Sequence, residues 1–395
     1  MEALQSNRIK SIPESATIAM AAKAREMKEN GTDVISLSLG EPDFKTPDHI
    51  IEGAKQALDE KKYFSYPPVP GYLDLRQAIS KKFKEDNGLD YAPDQIVVSN
   101  GAKQSIANVF LALLDPGDEV IVFSPYWVSY TALIHLAEGK SVFVKGGIEN
   151  DFKATAEQLK AAITDKTKAV IFSSPCNPTG SVFTKEELEA IAEVLKAYPD
   201  IIIISDEIYE MINYTGKHAS IGALPGMQDR TVTVNGFSKG YAMTGWRVGY
   251  MGAPKWLAKA ANKMQGQITS GNSSIAQRAA LAGLNAPKTA SEEMAAAYRE
   301  RRELVYNLLR EIPGIEVNYP QGAFYFFPDV KAYFGKGNLK NASDLCLYIL
   351  EEAHVSLVTG EAFGAPDCVR LSYAASEEEL KTAIARIKQA LAKLS

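Results

Sequence analysis

Short apolar runs recur along the middle of the chain, and longer stretches with helical spacing separate several of them. Seven such runs are present: Ile96–Ser99, Val120–Phe123, Val142–Val144, Ala169–Phe172, Ile201–Ile204, Thr231–Val234 and Val248–Met251. The runs are continuous rather than alternating, which is typical of strands that are buried on both faces. The pattern therefore predicts an α/β fold with a mostly parallel seven-stranded sheet, covered by helices on both faces.

Polar residues mark where several helices begin. Thr155, Thr184 and Ser376 are each followed three residues later by Gln or Glu, the spacing of a capping box. Thr46-Pro47 predicts a further helix start, with Thr46 as the N-cap and Pro47 as the first helical residue.

The two ends of the chain predict a smaller unit of mixed helices and strands. The segments are a helix over Ser15–Asn30, a strand over Val34–Leu39, a long helix over Ser291–Leu309, strands over Ile315–Tyr319, Ala323–Phe327 and Val369–Tyr373, and intervening helices. We expect an N-terminal arm with part of the small domain over 1–45 and a large domain over 46–285. An interdomain helix and the small C-terminal α+β domain follow over 286–395.

Composition narrows the function classes. The 395 residues are 46% hydrophobic and carry a net charge of −5, so a basic nucleic-acid-binding face is not expected. No apolar run reaches the roughly 20 residues of a membrane span. Residues Met1–Asn7 do not resemble the start of a signal peptide, and we expect a cytoplasmic protein.

Cysteine and histidine patterns point to neither disulfides nor metal. Cys176, Cys346 and Cys368 are odd in number and far apart, unlike a disulfide framework. The four histidines, at positions 49, 135, 218 and 354, form no HExxH pair, and we expect no metal site. No dinucleotide fingerprint follows a predicted strand, which disfavours a nicotinamide oxidoreductase. A complete P-loop and a GxSxG elbow are missing too, which disfavours other common enzymes of parallel sheets.

The segment from Gly236 to Gly249 carries the most specific chemistry. Lys239 lies among Phe237, Tyr241, Met243 and Trp246, and Arg247 follows about two helical turns later. Apolar surroundings favour the neutral amine, which can form a Schiff base with an aldehyde. The arginine supplies a fork for a phosphate. An amine and a phosphate clamp together are what pyridoxal phosphate requires.

Further polar residues follow the ends of other predicted strands, where ligands of open α/β sheets lie. Asp206 comes directly after one strand and Tyr209 three residues later; Asn177 follows another, between two prolines. Two further strand ends lead into the Ser99–Gln104 turn and into Tyr126-Trp127. Taken singly, each has an ordinary structural explanation, such as a helix cap, a turn or a core aromatic. Pyridoxal phosphate chemistry uses all of them.

With these residues the chain resembles the fold-type I pyridoxal-phosphate aminotransferases over essentially its whole length, and most of all their bacterial and thermophile aspartate aminotransferase branch. The Lys239 segment, Asn177-Pro178-Thr179-Gly180, Asp206-Glu207-Ile208-Tyr209 and Arg370-Leu371-Ser372-Tyr373 carry the resemblance. It implies that Lys239 holds the cofactor covalently and then moves a proton as general base. It implies that Asp206 pairs with the pyridine nitrogen, and that Tyr209 and Asn177 bond the ring's 3-oxygen.

The same resemblance implies the remaining contacts. Trp127 would stack on the cofactor ring, and Arg247 with the amides of Gly101, Ala102 and Lys103 would bind the phosphate. Arg370 would grip the substrate α-carboxylate, with Asn177, Trp127 and Gly40 beside it. Tyr66 would reach the phosphate of a neighbouring subunit, which implies a homodimer.

Two positions depart from the family's pattern. Some members have a serine three residues before the lysine, where this chain has Gly236, and Ser238 is the candidate replacement for its phosphate contact. Some have a basic residue in the arm where this chain has Ile12. The reader of the substrate's distal carboxylate therefore stays open, with Ser15, Thr17 and Thr269–Ser274 as candidates.

We expect a ping-pong aminotransferase that moves an amino group from L-aspartate to 2-oxoglutarate. Transfer to an aromatic or prephenate-type keto acid is the nearest alternative, and a carbon–sulfur lyase on the same cofactor is a second. A cofactor-binding regulatory domain would normally carry a basic DNA-binding module, for which the arm is too short.

Overall fold

In the computed structural model, which describes residues 4–12 and 16–394, the strands form three sheets. The strands are β1 (Ile35–Ser36), β2 (Ile96–Ser99), β3 (Glu119–Ser124), β4 (Lys140–Lys145), β5 (Thr167–Ser173), β6 (Ile202–Asp206), β7 (Thr231–Gly236), β8 (Gly249–Gly252), β9 (Tyr325–Phe326), β10 (Val355–Ser356), β11 (Val358–Thr359) and β12 (Val369–Ser372).

The α-helices are α1 (Asn7–Lys10), α2 (Ala16–Glu29), α3 (Asp48–Asp59), α4 (Leu73–Lys82), α5 (Ala102–Leu113), α6 (Ser129–Leu136), α7 (Ala156–Ala162), α8 (Lys185–Lys196), α9 (Lys255–Ile268), α10 (Ser274–Asn285), α11 (Thr289–Arg310), α12 (Ala342–Ala353) and α13 (Glu377–Ala392). A π-helix over Phe83–Asn87 continues α4. Short 3-10 helices span Pro93–Gln95, Ile148–Asn150, Ile221–Ala223, Gln228–Arg230, Thr244–Trp246, Lys331–Tyr333 and Gly360–Phe363.

The seven predicted strands form the central sheet, in the order β2-β8-β7-β6-β5-β3-β4. β8 runs antiparallel to both of its neighbours, and the other pairs are parallel. The prediction of a mostly parallel seven-stranded sheet is therefore confirmed. Because Ser173 is in register with Asp206, and Asp206 with Val234, the carboxyl ends of β5, β6 and β7 lie side by side.

Alternate residues of the central strands enter different hydrophobic cores. In β3, Val120 and Val122 pack in the core that includes α5, α6 and α9. Ile121 and Phe123 pack in the core that includes α7 and α8. Helices cover both faces of the sheet, which explains why the apolar runs are continuous rather than alternating.

The chain ends meet in two smaller sheets. β1 pairs in parallel with β10, and β11, β12 and β9 form an antiparallel sheet. The predicted strand over Val34–Leu39 is only two residues long, and the one predicted over Ile315–Tyr319 is wrong, because Glu316 forms just an isolated bridge with Asp329. The domain boundaries near 45 and 285 stay predictions.

The capping boxes at Thr155, Thr184 and Ser376 are confirmed, since each hydroxyl accepts the expected backbone N–H. The prediction at Thr46 is wrong: Pro47 is the N-cap of α3, and helix begins at Asp48. Thr46 instead donates to the Ala242 carbonyl at 2.7 Å and accepts from Trp246 Nε1 at 3.0 Å. It thus ties the start of α3 to the segment that carries Lys239.

Within residues 4–12 and 16–394, no helix combines the length and apolar character that a bilayer crossing requires.

Candidate active site

A cavity of about 690 Å³ opens at the carboxyl ends of the central strands. Its walls include eleven of the predicted site residues: Gly40, Ala102, Lys103, Trp127, Asn177, Asp206, Tyr209, Ser238, Lys239, Arg247 and Arg370. Gly101 lies next to the cavity as the N-cap of α5. Tyr66 does not line it, and 96% of the Tyr66 surface is exposed. Twelve residues that are scattered over 330 positions of sequence thus come together at one site.

Lys239 lies half-buried in this cavity, just beyond the end of β7. Its ammonium donates to the backbone carbonyl of Gly40 and lies 5.8 Å from the centre of the Tyr209 ring. Burial lowers the pKa of Lys239 to about 8, and the nearby guanidinium groups of Arg370 and Arg247 act in the same direction. A useful fraction of this amine is therefore neutral near physiological pH, as a nucleophile or a general base requires.

The residues between Lys239 and Arg247 do not form the two helical turns that their spacing indicates. They form turns and the 3-10 helix Thr244–Trp246, and Arg247 has a φ of +58°. The guanidinium reaches the residues just before α5, where Nη2 donates to the Asn100 carbonyl at 3.5 Å, while Nη1 donates to the nearby Thr244 carbonyl at 3.0 Å. The first N–H groups of α5 have no helical carbonyl to bond, so this end of the cavity suits an anion.

The structure explains why glycine stands at position 236. Gly236 ends β7 opposite Gly249 of β8. A Cβ on Gly236 would lie 2.9 Å from the Gly249 Cα and 3.0 Å from the Val248 carbonyl. A serine here would push β8 outward, so the phosphate contact that some relatives make from this position is not available. Ser238 lines the cavity and stays the predicted replacement.

Asp206 ends β6 and is only 4% exposed. Its carboxylate accepts from the Tyr130 hydroxyl at 2.6 Å and from the Ile208 amide at 3.3 Å. Burial raises the pKa of Asp206 to about 6, although both hydrogen bonds oppose the shift. The group is therefore ionised at neutral pH, and a cationic ring nitrogen is a partner that would compensate its burial.

The hydroxyls of Tyr209 and Tyr325 form a hydrogen bond, with 2.6 Å between the two oxygens. Burial raises the pKa of the Tyr209 hydroxyl well above its ordinary value. Tyr209 is thus a neutral phenol that bonds a second phenol, and both line the cavity beside Lys239.

Arg370 and Asn177 contact each other in the wall of the cavity. Arg370 is 2% exposed and lies between the rings of Tyr325 and Phe363. One guanidinium nitrogen donates to Asn177 Oδ1 at 3.0 Å and the other to the Ser38 carbonyl at 2.6 Å. No carboxylate in the described part of the chain pairs with this guanidinium, so its charge is available to an anionic ligand.

Lys103 and Trp127 lie together on another wall. The Lys103 ammonium is 5.1 Å from the centre of a Trp127 ring, and burial lowers the pKa of Lys103 with help from the charge of Arg247. Over residues 4–12 and 16–394, Lys103 has no acidic partner. Thr17 also lines the cavity, whereas Thr269–Ser274 does not, and Ser15 lies outside the described residues.

These groups fit pyridoxal phosphate. The Lys239 amine would suit its aldehyde, the buried Asp206 carboxylate its ring nitrogen, and the start of α5 with Arg247 its phosphate. The cavity also leaves room and a buried arginine for an amino acid.

Two residues at the site escaped the sequence analysis. Tyr130 is three residues after Trp127, so helical spacing could have placed the two side chains on the same side of a helix. Nothing in the sequence around Asp206 indicates that its carboxylate bonds the Tyr130 hydroxyl. Tyr325 lies in a predicted strand among four other apolar or aromatic residues. Nothing in that run distinguishes the one whose hydroxyl meets Tyr209.

Comparisons with known proteins agree with this geometry. The family described as aminotransferase class I and II matches residues 32–387. An aspartate aminotransferase of Geobacillus stearothermophilus is 47% identical over 382 residues, which cover 96% of this chain and 97% of that protein. A Petunia hybrida protein named bifunctional aspartate aminotransferase and glutamate/aspartate-prephenate aminotransferase is also 47% identical, over 98% of this chain and 82% of its own length.

Solved structures show the same architecture. The crystal structure of the aspartate aminotransferase from Rhizobium meliloti superposes with a TM-score of 0.95 at 42% identity. The superposition covers 99% of each chain.

Proposed function

The chain belongs to the class I and II aminotransferases, and we propose that it moves the amino group of L-aspartate to 2-oxoglutarate, giving oxaloacetate and L-glutamate. The enzyme depends on pyridoxal phosphate. The observation that carries the proposal is the single cavity that holds Lys239, Asp206 and Arg370. The names of the Geobacillus stearothermophilus and Rhizobium meliloti relatives support aspartate as the donor.

Pyridoxal phosphate, when bound, accepts the electrons that a substrate Cα releases as its proton leaves. Lys239 supplies the base that takes up and returns that proton, because its amine is partly neutral near pH 8 and points into the cavity. Asp206 keeps a negative charge at the ring-nitrogen position, and Tyr130 holds its carboxylate in place. Tyr209 and Asn177 supply polar groups beside the ring's 3-oxygen.

Arg370 orients the amino acid through its α-carboxylate. The guanidinium contacts two aromatic rings and donates two hydrogen bonds, so little conformational freedom is lost when a carboxylate binds. Arg370 and Lys239 line the same cavity, and the charge of Arg370 helps to lower the pKa of Lys239, so a carboxylate on Arg370 would bring the substrate's Cα towards the Lys239 amine.

We assign the distal carboxylate of aspartate to Lys103. Among the residues that the structure describes, four cationic side chains line the cavity: Lys103, Lys239, Arg247 and Arg370. The last three are engaged with the aldehyde position, the phosphate end and the α-carboxylate, which leaves Lys103. Its ammonium is partly desolvated and free of acidic partners, so an anion from a dicarboxylic substrate would satisfy it.

Lys103→Met is expected to lower kcat/KM for aspartate by about 10- to 150-fold, the range of a lost charge-assisted hydrogen bond of roughly 1.5–3 kcal/mol. Methionine keeps much of the contact with Trp127 but removes the charge. The kcat/KM for phenylalanine should change little, and Lys160→Met on the exposed face of α7 should change neither value. An equal loss for both donors would contradict the assignment.

The proposed reaction is tested by adding single amino acids to the purified, cofactor-loaded protein. Aspartate and glutamate should convert the bound cofactor's visible absorbance to that of its amine form within one turnover, and 2-oxoglutarate should reverse the change. Since the Petunia hybrida relative's name includes prephenate, prephenate and phenylpyruvate belong in the acceptor panel. If aspartate were a poor donor beside phenylalanine, the aromatic alternative would replace the proposal.

We also propose a homodimer. Tyr66 is almost fully exposed on the single chain, and Phe64 beside it is 64% exposed, so this loop offers aromatic surface to a partner. A cytoplasmic location is supported by the three cysteines, which are all free thiols.

A further inference from the structure

Behind the turn that carries Asp206 and Tyr209 lies a buried group of charged side chains that the proposed reaction does not use. We call it the Glu207 network; its members are Lys82, Asn87, Ser205, Glu207, Glu210, His218 and Ser220. The charged side chains of the network are at most 8% exposed. Buried charges are costly unless each is paired, so the network's pairing decides whether this turn is stable.

Glu207 accepts four hydrogen bonds. The hydroxyls of Ser205 and Ser220 donate to Oε1 at 2.9 and 2.6 Å. Asn87 Nδ2 and His218 Nε2 approach Oε2 at 3.2 and 2.9 Å. All the acceptor positions of this carboxylate are therefore filled, and His218 is the partner that can bring a positive charge.

Glu210 is paired differently. The Lys82 ammonium contacts its carboxylate, and Asn87 Nδ2 donates to it at 2.7 Å. Lys82 also donates to Asn87 Oδ1 at 2.7 Å, so Asn87 joins the two halves of the network. Asn87 is the last residue of the π-helix, a form of helix that re-aims side chains and is frequent at functional sites.

The charges balance only when His218 is protonated. Two carboxylates, Glu207 and Glu210, then face two cations, Lys82 and His218. Asp86 lies farther from Lys82, at 3.9 Å, and pairs with the half-exposed Lys288. Although burial acts to lower it, the pKa of His218 is raised by the Glu207 and Glu210 carboxylates.

A metal ion is the other chemistry that such a group suggests, since ligand atoms of Glu207, Glu210 and His218 lie within 4.8 Å of one another. The Lys82 ammonium already contacts Glu210, and His218 Nε2 is bonded to Glu207. The cationic role is thus filled by side chains, and we infer no metal here.

Residues of the Glu207 network and residues of the candidate active site alternate along the chain. Asp206 and Tyr209 line the cavity, whereas Glu207 and Glu210, their immediate neighbours, enter the network. The turn from 206 to 210 is thus held on one side by the cofactor site and on the other by charge pairs. A backbone shift at Glu207 also moves Asp206, because the two residues are adjacent in the chain.

We propose that His218 is a positioning residue, which as an imidazolium on Glu207 neutralises the network and holds Asp206 and Tyr209 where pyridoxal phosphate binds. The proposal rests on the cofactor-binding roles given to Asp206 and Tyr209. It does not depend on which amino acid is the donor, so a failure of the aspartate assignment would leave it standing.

The test compares His218→Asn with the double variant Glu207→Gln/His218→Asn, both prepared with cofactor. Equilibrium dialysis against a series of pyridoxal phosphate concentrations gives the Kd. His218→Asn leaves Glu207 uncompensated and should raise the Kd by about tenfold or more, whereas the double variant restores neutrality and should recover most of the affinity. The matched control His49→Asn, at an exposed position of α3, should change nothing.

A second readout is the pH dependence of thermal unfolding. Because the pKa of His218 is raised in the fold, its stabilisation is fully present below the ordinary histidine value and is lost as pH rises through the raised value. The Tm difference between wild type and His218→Asn should therefore be largest below about pH 6.5 and shrink as the pH rises above that value. A difference that is independent of pH would overturn the charge argument.

The wild-type protein supplies a test that needs no variant. An NMR pH titration of the His218 ring resonances should have its midpoint above the ordinary histidine value of about 6.5, and a midpoint below that value would overturn the proposal. So would an unchanged Kd for His218→Asn, or a double variant that binds the cofactor no better than the single one.

Discussion

Lys239→Ala is expected to lower the turnover of aspartate by about 10⁴-fold or more, since it removes both the covalent anchor and the general base. Lys239 is the amine that lines the cavity beside Tyr209, and its pKa of about 8 leaves part of it neutral at physiological pH. Cofactor that remains bound to the variant should do so without a covalent link. After borohydride treatment and unfolding, the cofactor should therefore stay attached to the wild-type protein and be released from the variant.

Two comparisons make this result specific. Lys160→Ala, an exposed lysine on α7, should keep wild-type turnover and borohydride labelling. Lys239→Arg keeps a positive charge but not a nucleophile of suitable pKa, so it should be as inactive as the alanine variant. Near-normal turnover by Lys239→Ala would remove the basis of the proposed mechanism.

Arg370→Ala is expected to lower kcat/KM by roughly 30- to 5,000-fold, which corresponds to the 2–5 kcal/mol typical of truncating one member of a buried, hydrogen-bonded charge pair. The loss should be similar for aspartate, glutamate and phenylalanine, because Arg370 would bind the α-carboxylate that they share. This uniform loss distinguishes Arg370 from Lys103, whose replacement should weaken only the dicarboxylic donors.

Arg370→Lys should recover only part of the activity, since an ammonium cannot reproduce the planar fork that Asn177 and the Ser38 carbonyl hold. Arg386→Ala, which removes a surface partner of Asp33, is the control and should leave kcat/KM unchanged. The affinity for pyridoxal phosphate should stay near that of wild type in the Arg370 variants. A strong preference for one donor in Arg370→Ala would show that the arginine reads something other than the α-carboxylate.

Features that depend on near neighbours along the chain were accessible from sequence. The capping boxes at Thr155, Thr184 and Ser376 need only residues three positions apart, and the continuous apolar runs reflect burial on both faces of each strand. The Lys239 segment could be singled out because its residue types are unusual together. Its local conformation could not, since the helical spacing expected between Lys239 and Arg247 gives way to turns and a positive φ at Arg247.

Contacts between distant segments were not accessible. Tyr130 meets Asp206 across 76 positions of sequence and Tyr325 meets Tyr209 across 116, and neither tyrosine differs locally from a core aromatic. The Thr46-Pro47 pair is typical of a helix start, but the Thr46 hydroxyl donates instead to the carbonyl of Ala242, 196 residues away in sequence. The requirement for glycine at 236 follows only from the position of β8 against β7.

The sequence by itself determined the seven strands, the three capping boxes and, through the Lys239 segment and its resemblance, the cofactor chemistry. These follow from interactions within a few residues and from the burial that each element needs. Only the tertiary structure decided the strand order, the tyrosine partners of Asp206 and Tyr209, the place of Lys103 among the cavity's cations and the buried Glu207 network. Each of these depends on which elements become neighbours, a choice made by packing the whole chain into common cores and pairing its buried charges.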